Sequence, residues 1–143
     1  MKCSHKYDNF IQYKELNGTI HVEPIGVFVE KHLEARETEA RLDGTCTVNT
    51  PNGEARITGV AKAPNKSREL IRIVFANGSD LSVTSDHVFS HNGMLITADE
   101  LTVGDFIGLN IALKEVEASK EPVYGIEIDT DCGLFYIDSI LTV

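Results

Sequence analysis

The chain has 143 residues, 42% of them hydrophobic and 24% charged, enough for one domain with its own core. Its net charge is −9 and its 13 basic residues are scattered, which argues against nucleic-acid binding, since that needs clustered Lys and Arg to displace counterions. No apolar run approaches the roughly 18 residues of a membrane span, and the start MKCSHKYDNF has no apolar stretch of the signal-peptide kind. The expectation is a cytoplasmic monomer that engages neither nucleic acid nor membrane.

The first turn signal is Asn17-Gly18, followed by Thr19, Ile20, His21 and Val22 in strand-compatible types. Pro24 then opens a helix, because its fixed φ suits a first helical turn. Ile25, Phe28, Val29, His32 and Leu33 fall on one helical face, and the polar run EARETEARLDG is expected to carry the helix on to Gly44. Beyond it the pattern is β. TCTVNT and EARITGVA flank Pro51-Asn52-Gly53, ELIRIVFA and DLSVTS flank Asn77-Gly78, and HVFS and MLITA flank Asn92-Gly93. DFIGL, VYGIEID and LFYIDSILTV read as further strands. Short strands punctuated by turns predict an all-β sandwich or closed, barrel-like fold. HVEPIGVFVEKHL and LITADELTVGDFI echo each other, as two related halves of a pseudo-symmetric fold would.

Three cysteines, Cys3, Cys46 and Cys132, stand too far apart for a disulfide framework or a Cys-x-x-Cys metal site. Cys3 and His5 offer two metal ligands with no partner pair, so neither metal nor cofactor is expected. Cys46 and Cys132 fit buried, small apolar roles. Asp105, Asp129 and Asp131 fit turns, and His91 sits beside the Asn92-Gly93 turn.

Three segments in order carry a family resemblance. GSDLSVTSDHVF contains Thr84-x-x-His87 at a strand end, ITADELTVGDFIGL contains Glu-Leu-x-x-Gly-Asp, and VYGIEIDTDCGLFYIDSILTV runs strand, then Phe-Tyr, then Ile-Leu. Together they resemble the intein and Hedgehog-autoprocessing (Hint) superfamily across most of the chain. The resemblance implies an all-β, horseshoe-like Hint fold with a pseudo-two-fold and one or two short helices. Inteins begin with Cys or Ser, commonly with Asp at the fifth position. Counting from Ser4 puts Asp8 fifth, whereas counting from Cys3 shifts it by one. Ser4 is therefore preferred over Cys3 as nucleophile. Residues 1–3 become a remnant of the upstream flank and residues 4–143 the splicing domain. NGTIHVEPIGVFVE looks like the early part of DNA-polymerase inteins. The residues between DFIGL and VYGIEID, Asn110 to Pro122, are too few for a homing endonuclease, so the resemblance is to a mini-intein.

Two positions depart from the family. Gly125 stands where an Asp is usual, and Val143 stands where the terminal His-Asn begins, with no Asn following it in the sequence as read. That Asn releases the downstream flank by cyclisation, so a chain of this extent is not expected to complete the step.

The implied chemistry starts with attack by the first side chain on its own preceding carbonyl, which turns an amide into an ester or thioester. The fold must align the hydroxyl, supply donors to the oxyanion and protonate the leaving nitrogen. By resemblance His87 serves the nitrogen, since an imidazole titrates at about 6.5, and Thr84 holds the scissile amide. The implied partners are flanking extein segments, in cis or as a split intein in trans, within a host protein of an archaeon, bacterium or phage. The alternatives are a Hint autoprocessor that cleaves or transfers without a terminal Asn, and a non-catalytic β binding module.

Overall fold

The computed structural model describes residues 2–130, 133–137 and 140–143; Asp131 and Cys132, read above as turn and core residues, lie outside them. In chain order the elements are β1 (Phe10–Glu15), β2 (Ile20–Pro24), α1 (Ile25–Lys31), β3 (Glu39–Arg41), β4 (Cys46–Thr50), β5 (Gly53–Ala63), β6 (Glu69–Phe75), β7 (Asp80–Val83), β8 (Val88–His91), β9 (Met94–Thr97), β10 (Ile111–Ala118), β11 (Val123–Ile128), β12 (Phe135–Ile137) and β13 (Ile140–Thr142). Among the described residues they form three sheets. One runs β11-β5-β4-β1-β2 with β3 also on β5, one runs β10-β6-β7, and one runs β12-β13-β8-β9.

Among the described residues the fold is all-β with one short α-helix, but the sheets stay open and no barrel closes. The turn chemistry explains the hairpins. Asn92 and Gly93 both take positive φ (52° and 75°), as a two-residue turn between β8 and β9 requires. At Asn77-Gly78 only Gly78 does (φ 88°), and the Asn77 side chain instead accepts from the Ser79 amide at 3.0 Å.

Three expectations need correction. The helix opens after Pro24 as the sequence implies but ends at Lys31, with His32 as its cap, and does not reach Gly44. The polar run has no apolar stripe to bury, so nothing holds it helical. It turns at Arg36 (φ 71°) and Glu39–Arg41 pairs with the edge of β5 instead. DFIGL is a turn rather than a strand. Asp105 accepts from the Thr102 amide at 2.9 Å, Gly108 takes φ 109°, and Phe106 bridges Asn110. The strand lies just beyond, in β10, paired with β6. Strand β1, before the Asn17-Gly18 turn, pairs antiparallel with β2 and was not legible as a strand.

The core joins all three sheets to the helix through Ile11, Phe28, Ile57, Ile73, Phe89 and Phe135, all buried. Each such side chain contributes about 1.5–3 kcal/mol on burial. What matters for the site is how this core places the ends. Ser4–Lys6 lies between β7 and β11: His5 bridges Val83 on one side and Tyr124 on the other. On the other end, β13 runs beside β8, with Thr142 opposite Phe89.

Candidate active site at the meeting of the two ends

His87 is the centre of the site and is fully buried. It follows the Val83 end of β7 by a turn in which its amide donates to the Thr84 carbonyl at 3.0 Å. Its ring packs edge-on against Phe89 and His5, at centroid distances of 4.8 and 4.5 Å. His87 Nδ1 bonds the Ser4 hydroxyl and Nε2 bonds the Thr142 hydroxyl.

The proton directions follow from the far end of this chain. Thr142 Oγ1 donates to the Val88 carbonyl at 2.8 Å, so towards His87 it must accept. Nε2 therefore carries the ring proton and Nδ1 is left to accept from Ser4 Oγ. Burial is the main reason the His87 pKa falls well below its ordinary value, with the neighbouring His5 and Lys2 adding to it. The imidazole is thus neutral, with its free lone pair facing a buried hydroxyl.

Ser4 is buried and its backbone is held. Its amide donates to the Tyr124 carbonyl at 3.1 Å, and its carbonyl accepts from the Thr84 amide at 2.9 Å. Thr84 thus touches the nucleophile's residue through its backbone. Its hydroxyl donates to Asp86 Oδ1 at 2.7 Å. Cys3 is half-buried, and burial is the main cause that pushes its thiol pKa up, which works against thiolate formation.

Gly125 is the other notable position. A Cβ there would lie 2.2 Å from the Lys2 carbonyl oxygen and 3.2 Å from the Cys3 Cα. The missing side chain is the space in which the upstream segment runs. Lys2 is held further by its ammonium, which donates to the Asp86 carbonyl at 3.1 Å.

Sequence reasoning singled out Ser4, Cys3, Thr84 and His87, and the structure brings Ser4 and His87 into direct contact. It missed Thr142 and His5. Thr142 looked like one more residue of a terminal strand; its position just before the family's usual His-Asn was the available signal. In the sequence His5 stands out only as a metal ligand beside Cys3. Asp105, Asp129 and His91 lie in or beside turns, away from this cluster; Cys46 is only half-buried.

The arrangement can therefore activate a hydroxyl at one end of the chain, in a dry site to which the other end also contributes. No protein-family model matches the sequence, and no curated protein aligns with it. Solved structures do match. The transcription factor IIB Mvu mini-intein superposes with a TM-score of 0.78 at 19% identity, over 97% of this chain and 99% of that one. The VidaL intein gives 0.75 at 18% identity, over 99% and 97%. A bacterial intein-like domain from Clostridium thermocellum gives 0.65 at 17% identity, over 100% and 99%. The chain has the Hint fold of mini-inteins.

Proposed function

We propose that the protein is an intein-type self-processing domain that activates the peptide bond before Ser4 and joins its flanks. Residues 4–143 form the domain and residues 1–3 belong to the upstream flank. The observation that carries this is the buried Ser4 Oγ–His87 Nδ1 pair, set where the segment before β1 meets β13 through the Thr142–His87 contact.

The step is an N–O acyl shift. Ser4 Oγ attacks the carbonyl carbon of Cys3 and its proton passes to His87 Nδ1. The Cys3–Ser4 C–N bond breaks, and His87 returns the proton to the Ser4 nitrogen. The product is an ester at Ser4 Oγ and a free amine that still faces the Tyr124 carbonyl. His87 thus acts first as base for the hydroxyl and then as acid for the nitrogen. Thr142 holds the ring in the tautomer this needs. The flanks act in cis or in trans. A DNA-polymerase host fits the resemblance of NGTIHVEPIGVFVE, and a monomer fits a reaction confined to one chain.

The similarity to a bacterial intein-like domain keeps one alternative in view, cleavage or transfer without joining. Intact mass of a fusion with native flanks, followed over time, separates the two. Joined flanks are the expected product; released flanks alone indicate autoprocessing, and an unchanged mass counts against both.

A further inference from the structure

Beside the Ser4–His87 pair lies a second buried imidazole that the acyl shift leaves idle. His5 is 1% exposed. Its backbone is pinned by both hydrogen bonds to Tyr124: the His5 amide donates at 3.0 Å and its carbonyl accepts at 2.8 Å. Its Nδ1 lies 3.1 Å from Asn9 Nδ2, and its Nε2 lies 3.0 Å from the Val143 carbonyl oxygen.

The tautomer is fixed by Asn9. That amide grips the Ser82 backbone with both ends, Nδ2 donating to the Ser82 carbonyl at 2.7 Å and Oδ1 accepting from its amide at 3.1 Å. The group facing His5 Nδ1 is therefore a donor, so Nδ1 accepts and the ring proton sits on Nε2. That proton points at a carbonyl oxygen, which can only accept.

We infer that His5 is a positioning residue for the C-terminal junction: its Nε2–H clamps the Val143 carbonyl and so sets where a polypeptide continuing past Val143 lies relative to Ser4. This rests on the self-processing role of Ser4 and His87. Among the described residues, the Val143 backbone has one other hydrogen bond. Strand β13 spans three residues, and the Val143 amide reaches the Val88 carbonyl only at 3.4 Å. Val143 itself has no side-chain donor, so the imidazole at this end is supplied from the start of the chain. Breaking the clamp would leave a buried donor without its acceptor, which is costly.

The test uses the full chain with its upstream flank, and with asparagine, serine and a reporter segment placed after Val143. His5→Leu removes the donor and keeps bulk, and His5→Gln restores an N–H near the Nε2 position. Release at the C-terminal junction is expected to fall about tenfold or more in His5→Leu and to recover in His5→Gln, with hydroxylamine cleavage at Ser4 changed far less. Hydrogen exchange of the Val143 amide is expected to speed up about tenfold in His5→Leu and to recover with glutamine. Nitrogen NMR of the imidazole should find His5 protonated on Nε2. Equal losses at both junctions without rescue by glutamine, or an unchanged Val143 exchange rate, or a proton on Nδ1, would overturn the assignment. Should the unsubstituted fusion show no hydroxylamine-labile bond, the role of Ser4 fails, while the exchange and NMR results still judge the clamp.

Discussion

The Thr142 hydroxyl decides which nitrogen of His87 holds the proton, because it spends its own hydrogen on Val88. Thr142→Val keeps the shape and removes that constraint. We expect it to slow ester formation about 5–30-fold, the worth of one buried hydrogen bond, with the fold retained. Hydroxylamine cleavage kinetics measure this, and an unchanged rate would show that the tautomer is set elsewhere. Thr84→Val should cost less, because its hydroxyl is engaged with Asp86 and its contact to Ser4 runs through the backbone. A loss for Thr84→Val as large as for Thr142→Val would mean that the Thr84 side chain turns to the scissile bond during the reaction.

At the scale of elements, the decisive one is the first segment, threaded between β7 and β11. It fits because Gly125 in β11 presents no side chain to it. Gly125→Ala should displace the Lys2–Cys3 backbone, cost about 1–3 kcal/mol and slow ester formation. In a chain that begins at Ser4 the clash is gone, so the same substitution should be nearly neutral there. Thermal denaturation of both pairs checks it, and equal destabilisation in the two contexts would place the strain elsewhere. The elements differ in how far the sequence exposed them. The hairpins at Pro51-Asn52-Gly53, Asn77-Gly78 and Asn92-Gly93 were legible, because turn chemistry is local. The end of α1 was not, because it depends on the free edge of β5 that receives Glu39–Arg41. Strand β10 was also hidden: its charged residues give no local strand signal until β6 supplies the pairing. His87 was a candidate through its motif, and the structure places it against Ser4. Thr142 and His5 were not legible, since their contacts to His87 and Val143 exist only once the two ends meet.

For the whole molecule, two buried imidazoles make stability depend on pH. Burial lowers the His5 pKa to about 4 and that of His87 well below its ordinary value. In the unfolded chain both bind protons below about pH 6.5, so between that value and about 4 the unfolded state holds more protons and stability rises with pH. His5 alone should account for about 3 kcal/mol lost on acidification across that window, a loss that His5→Gln should reduce. Denaturant unfolding at a series of pH values checks the sign; stability that grows on acidification through this range would contradict a buried neutral pair. In the proposed reaction the Ser4 hydroxyl, held by His87, attacks the Cys3 carbonyl. Mass spectrometry of a hydroxylamine-treated fusion with native upstream residues tests it most directly. The expected product is an upstream fragment ending in a Cys3 hydroxamate, abolished in Ser4→Ala and His87→Ala and retained in Cys3→Ala. A fragment ending at Lys2, lost in Cys3→Ala and kept in Ser4→Ala, would contradict it.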